Sequence, residues 1–245
     1  MAQDTSPQIR GAQTIIYPES DGKPMAETDI HRDLMIDFIE MLKNHFNARP
    51  DVYVSGNLLL YYEEGNPRKS VAPDVFVVLG IEKKKRRTYL LWEEGKGPDF
   101  ILELVSRNTY RKDLREKKNL YASVLSVKEY YLYDPDGQYL QPSLQGYRLV
   151  DGIYLPIQPT LENRLPSFVL GLELGEKNIE LGLYNPQTKR WLLKPREESE
   201  ARKQAEARAQ QESLTRQQAE ARAQQAEAEL TRLRALPERL GATDE

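Results

Sequence analysis

Residues 70–135 read SVAPDVFVVLGIEKKKRRTYLLWEEGKGPDFILELVSRNTYRKDLREKKNLYASVLSVKEYYLYDP, and the fold is organised around them. Val75 to Leu79 and Phe100 to Val105 are apolar runs of strand length, flanked by turn residues and apolar enough to be covered on both faces. Each carries a carboxylate: Asp74 follows Pro73 at the start of the first, and Glu103 lies inside the second. Between Lys112 and Leu125 the apolar positions Leu114, Leu120, Tyr121, Val124 and Leu125 take helical spacing and leave Lys117 near the helix start. Glu129 to Tyr133 is a further strand. The expected unit is strand, strand, helix, strand.

Upstream, Leu34, Met35, Phe38, Ile39, Leu42 and Phe46 recur at three and four residues, which predicts an amphipathic helix entered near Thr28 or Asp29. Glu27 stands just ahead of it, where free amides favour a carboxylate, so capping is one role for it. Asp51 to Tyr62 reads as a strand, bulged near Gly56, that forms a hairpin with Val71 to Leu79. Five basic residues, Lys83 to Arg87, then precede a short apolar run; such a block is either a solvated loop or a contact for phosphate.

Downstream, short β-rich pieces cover Tyr147 to Leu155 around Asp151-Gly152, Phe168 to Leu174, and Ile179 to Leu193 around Asn185-Pro186. Each is too short to bury a core of its own, so they are expected to extend or cover the main sheet. Near Arg196 the composition changes to Ala, Glu, Gln and Arg, with RKQAEARAQQ at 202–211 repeated as RQQAEARAQQ at 216–225. The offset is two heptads, and Leu230, Leu233, Leu236 and Leu240 follow. This is a helical tail, either a weak coiled coil with an alanine seam or a solvent-exposed helix, supported by a Glu212–Arg216 pair and kinked or ended at Pro237. The organisation expected is a lead over 1–13, an α/β domain with a mixed sheet flanked by helices over 14–195, and the tail over 196–245.

The 245 residues include no cysteine, which removes disulfide frameworks and thiolate metal sites, and the net charge of −3 offers no global field for nucleic acid. No signal peptide or membrane span is evident, and the expectation is a soluble, cytoplasmic protein. There is no G-x-S-x-G elbow and no Walker loop, and only two histidines, His31 and His45, so a triad has little material. His31 lacks partners at metal spacing and is assigned a surface or supporting role.

The acidic residues are the remaining chemistry. In neighbouring strands Asp74 and Glu103, 29 residues apart, can approach closely, and paired carboxylates repel unless a cation lies between them. Hard oxygen ligands suit Mg²⁺, with Mn²⁺ as a substitute, and a nearby lysine could neutralise charge developing on a phosphate. Pro98-Asp99 is a rival proline-aspartate pair, but it lies too close to Glu103 for a turn and is expected to begin the strand.

Pro73-Asp74 followed by Glu103-Leu104-Val105 resembles the PD-(D/E)xK nuclease superfamily. With Ser106, Asp113, Lys117, Tyr121, Glu129-Tyr130-Tyr131 and Asp134-Pro135 included, the chain resembles the Uma2 family of restriction-endonuclease-like proteins from about Ile16 to Leu193. The resemblance implies a Mg²⁺-dependent endonuclease acting on DNA as a homodimer, with Asp74, Glu103 and the Leu104 carbonyl as metal ligands. It also implies that Lys117, or its neighbour Lys118, replaces the superfamily lysine, whose usual place is held by Val105, and that Glu27 supports the metal water. The other reading is a nuclease-like fold that has no cleavage activity and serves as a binding or assembly module.

Overall fold

The computed structural model describes residues 15–20 and 28–240, with side chains through residue 233. Two compact units meet at Lys194 and Pro195. The expected flexible lead lies outside the described residues.

In the first unit α1 spans Asp29–His45, and the Thr28 hydroxyl accepts the His31 N–H at 3.2 Å to cap it. Its buried face is Leu34, Met35, Phe38, Met41 and Leu42. The following strands are β1 (Val52–Ser55), β2 (Leu60–Tyr61), β3 (Ser70–Val71), β4 (Val75–Leu79) and β5 (Tyr89–Leu90). After the single-turn α2 (Leu91–Glu94) and β6 (Phe100–Leu104), one helical run, α3, is assembled from an α-helical piece Tyr110–Lys112, a π-helical turn Asp113–Lys117 and a second α-helical piece Lys118–Ser123. Then come β7 (Glu129–Tyr133), β8 (Leu144–Val150), β9 (Ile153–Pro156), β10 (Leu165–Ser167), β11 (Leu172–Lys177), β12 (Glu180–Asn185) and β13 (Arg190–Trp191).

The main sheet has the order β1-β4-β6-β7-β8-β9. Only β6 and β7 are parallel, and α3 is the crossover that parallel neighbours require. Alternation along each strand divides the interior. Val75 and Val77, Phe100, Leu102 and Leu104, and Tyr131 and Tyr133 face α1 and the second sheet, β10-β11-β12-β13. Phe76, Val78, Ile101, Tyr130 and Leu132 join a second core with Tyr121 and Leu125 of the α3 region. The side-chain period of two therefore puts Glu103, between Leu102 and Leu104, on the α3 face.

Three expectations are corrected. Asp51 to Tyr62 is not one bulged strand: it breaks between Ser55 and Leu60, and β2 leaves the main sheet to pair with β3 and β5. Gly56 sits at the break, where an added Cβ would lie 2.0 Å from the Asp74 carbonyl oxygen. Of the piece from Phe168 to Leu174 only the last three residues are strand, the start of β11; residues 168–171 form the turn from β10, with Phe168 75% exposed beneath the Arg148 guanidinium. The second unit, α4 (Pro195–Leu240), runs past Pro237 without ending. Its side chains from 200 to 233 are exposed, and Arg216 pairs with Glu220 at 2.9 Å instead of Glu212.

Candidate active site

The antiparallel register of β4 and β6 sets Val75 opposite Leu102, so Asp74 and Glu103 face one another one residue further along. The Asp74 N–H donates to Glu103 Oε2 at 3.4 Å, and the Leu104 N–H donates to Asp74 Oδ2 at 2.7 Å. Leu104 thus anchors Asp74 through its amide. Buried His31, reaching from α1, places Nε2 3.5 Å from Asp74 Oδ2, so it supports Asp74 and is not a surface residue.

From the other side α3 brings three groups to Glu103. Lys117 Nζ lies 2.9 Å from Glu103 Oε2 and 3.0 Å from Asp113 Oδ1, and the Tyr121 hydroxyl donates to Glu103 Oε1 at 2.5 Å. The π-helical turn carries both Asp113 and Lys117, and such turns recur where a helix must redirect side chains. Lys118 points elsewhere. Its ammonium stands 3.3 Å from the centre of the Tyr147 ring. Glu27 lies outside the described residues.

Charge is unevenly balanced here. Glu103 and Asp113 are each 1% exposed, and Asp74 adds a third carboxylate, against the single ammonium of Lys117. Burial pushes the Glu103 carboxyl up; Lys117 opposes this, but Asp74 and Asp113 reinforce it, and the result is about 8. Burial raises Asp113 in the same direction. For Lys117, burial favours the neutral amine, but the surrounding carboxylates outweigh it and hold the side chain protonated. Both Asp113 side-chain oxygens are buried, and Thr109 and the Lys117 ammonium, 3.0 Å from Oδ1, only partly offset that burial.

Other buried acids on these strands are fully served. Asp99, ahead of β6, accepts the Leu79 N–H at 2.8 Å and lies 2.8 and 2.9 Å from Lys128 and Lys96. Glu129 accepts from Ser167, Phe168, Val169 and Arg148, and Asp134 from the N–H groups of Asp136, Tyr139 and Leu140. Among these buried acids, Glu103 and Asp113 differ in sharing one ammonium, with the Asp74 carboxylate beside them.

The family model described as "Uma2: Putative restriction endonuclease" matches residues 12–177, more than half of the chain. The chain belongs to the Uma2 family. Its α/β fold is the restriction-endonuclease-like one, a mixed sheet flanked by helices, and the matched region contains Asp74, Glu103, Asp113, Lys117 and Tyr121. Among solved structures, the crystal structure of a protein titled a "putative nuclease belonging to DUF820" from Anabaena variabilis ATCC 29413 is similar at 16% identity and a TM-score of 0.44, covering 60% of this Uma2 chain and 76% of that one. No curated protein matches. No helix among the described residues is long and apolar enough to cross a membrane.

Sequence reading alone gave Asp113 and Tyr121 no role beyond the family pattern. The available signal was their spacing: Asp113, Lys117 and Tyr121 recur every four residues and share one face of a helix.

Proposed function

We propose that this Uma2 protein is a divalent-metal-dependent endonuclease that hydrolyses DNA phosphodiester bonds, with residues 14–195 as the catalytic domain. The observation that carries this reading is the gathering of three carboxylates around one lysine at the end of β6, with more negative charge than the lysine can compensate. Such an arrangement opposes folding, and groups held against stability in this way concentrate at functional sites.

Carboxylate oxygen is the donor type a hard cation takes, and Asp74 and Glu103, with Asp113 nearby, would hold Mg²⁺ or Mn²⁺, although among the described residues no three acidic or histidine side chains are already grouped as a metal site. The cation, when bound, supplies Lewis-acid polarisation of a phosphoryl oxygen. The chain's own groups do the positioning: the Leu104 N–H fixes Asp74, the Tyr121 hydroxyl fixes Glu103, and His31 supports Asp74 from behind. Lys117, kept protonated, stabilises the charge that grows on the phosphate as water adds to phosphorus, one P–O bond breaks and the departing sugar oxygen takes up a proton. The Leu104 carbonyl is retained as a candidate further ligand.

Cutting both strands in one encounter takes two sites, so the proposal includes a homodimer, for which the α4 repeat is a candidate seam. Sedimentation showing only monomer at micromolar concentration removes that part. One observation favours the alternative of a binding module without cleavage: the Lys117 ammonium already bridges Glu103 and Asp113. The deciding test is nicking of supercoiled plasmid with Mg²⁺ or Mn²⁺. The parent should cut, while folded Asp74→Ala, Glu103→Ala and Lys117→Ala should each lose on the order of a hundredfold or more. A parent that leaves DNA intact with either metal overturns the nuclease reading.

A further inference from the structure

The conspicuous basic run of the sequence is engaged in contacts within the chain. Arg86 is half-buried with its side chain only 3% exposed, its guanidinium on Glu94 at 2.6 Å and 4.2 Å from the centre of the Tyr53 ring. Arg87 pairs with Glu19 at 2.8 Å, and Lys84 lies 3.9 Å from both Glu82 and Glu94. The loop is tied to the chain ahead of β1 through Gly80, Ile81 and Lys83 N–H groups on Asp51 and Pro50 carbonyls. It therefore leaves the Leu79 end of β4, whereas Asp74 lies at the other end, five residues or about 17 Å away along the strand.

A second group of cations borders the site itself. Arg107, Arg111, Lys112 and Arg115 are all exposed, on the turn before α3 and on its first turns, which also carry Asp113 and Lys117 toward Glu103. Among the described residues none of the four forms an ion pair with a carboxylate; Arg111 instead donates to the Tyr110 hydroxyl at 2.9 Å. Glu116 is the one exposed acid within the run. The support beneath them is fixed. The Ser106 N–H donates to Thr109 Oγ1 at 3.2 Å, closing the turn that bears Arg107, and Tyr110 stacks on Tyr139 with ring centres 5.2 Å apart. Unpaired cations beside an acidic centre leave a charge pattern complementary to a polyanion whose one phosphate enters the centre while its neighbours remain outside.

We propose that Arg107, Arg111, Lys112 and Arg115 form the track for the nucleic-acid phosphate backbone leading into the site, and that the Lys83–Arg87 loop does not. The proposal deepens the nuclease reading and rests on it for the direction of the track. Binding of the full-length protein to a labelled DNA duplex, followed across salt concentration in EDTA, tests it. Lys112→Gln/Arg115→Gln should weaken binding and make the slope of log K against log salt shallower by about two, since each lost phosphate contact contributes about 0.9. Lys83→Gln/Lys85→Gln should leave both affinity and slope as in the parent. Exposed sites keep both pairs folded, which circular dichroism verifies.

A parent that does not bind DNA, an unchanged slope in the helix pair, or the same loss in the loop pair overturns the proposal. Plasmid nicking by the same proteins separates the two readings. Cleavage by the parent with an unchanged slope in the helix pair leaves the nuclease without this track. A shallower slope without any cleavage leaves the track and removes the nuclease.

Discussion

Asp99 and Glu103 are carried at opposite ends of one strand, and both are 1% exposed, yet their surroundings are opposite in kind. Around Asp99, burial pushes the carboxyl up, but Lys128, Lys96 and the Leu79 N–H outweigh it and hold it below its ordinary value. Around Glu103, one lysine is divided among three carboxylates and the carboxyl rises to about 8. Equal burial with unequal compensation separates a carboxylate that stabilises the fold from one held there in spite of stability. On the proposed reading, Asp99, just ahead of the strand, is structural and Glu103, near its other end, is reactive.

The largest effect that could break this comparison is on cleavage. Glu103→Gln should lower plasmid nicking by on the order of a hundredfold or more, whereas Asp99→Asn should cut at close to the parental rate once folded. Next is stability. Asp99→Asn should reduce the urea unfolding free energy by about 1.5–3 kcal/mol, the range for a hydrogen bond to a charged group. Lys96 and Lys128 are partly exposed, so the lost ion pairs add little beyond this.

pH sharpens the contrast through the sign of its effect. The folded Glu103 carboxyl lies above its unfolded value, so between about 4.5 and 8 the native state binds more protons than the unfolded state. Its contribution to stability therefore declines as pH rises across that window, and Glu103→Gln should flatten the decline in urea midpoints measured from pH 5 to 8. Asp99 works the other way: its stabilisation is present above the ordinary carboxyl value of 3.8 and is lost as pH falls through the depressed folded value. Acid unfolding should accordingly begin at higher pH in Asp99→Asn. The smallest effect expected is that of Tyr121→Phe, which removes the hydroxyl on Glu103 and should cost about 1 kcal/mol in stability while slowing cleavage roughly tenfold.

Much of the frame was legible because β4, β6 and β7 are apolar on both faces and α1 and α3 keep helical spacing. Asp74, Glu103 and Lys117 could be placed on adjoining elements for the same reason. What could not be read depended on groups distant in sequence. That His31 meets Asp74 follows from how α1 lies across the sheet, and although the i,i+4 spacing of Asp113 and Lys117 was readable, the π-helical turn that carries them is marked by no local propensity. The basic run is for the most part the solvated loop that charge density suggests, with Lys83, Lys84, Lys85 and Arg87 exposed; the exception is Arg86, whose covered guanidinium satisfies Glu94 over the Tyr53 ring. Pro237 likewise has local preferences against continuing a helix, yet α4 runs on to Leu240.

The most direct test of the central claim is the urea unfolding of Glu103→Gln beside the parent at pH 7 in EDTA, with plasmid nicking measured on the same preparations in Mn²⁺. If Glu103 belongs to an undercompensated catalytic cluster, the variant should unfold within about 1 kcal/mol of the parent, or at a higher urea midpoint, and should not nick. A variant that loses stability as Asp99→Asn does and still cuts at the parental rate would place Glu103 with the structural acids and contradict the account.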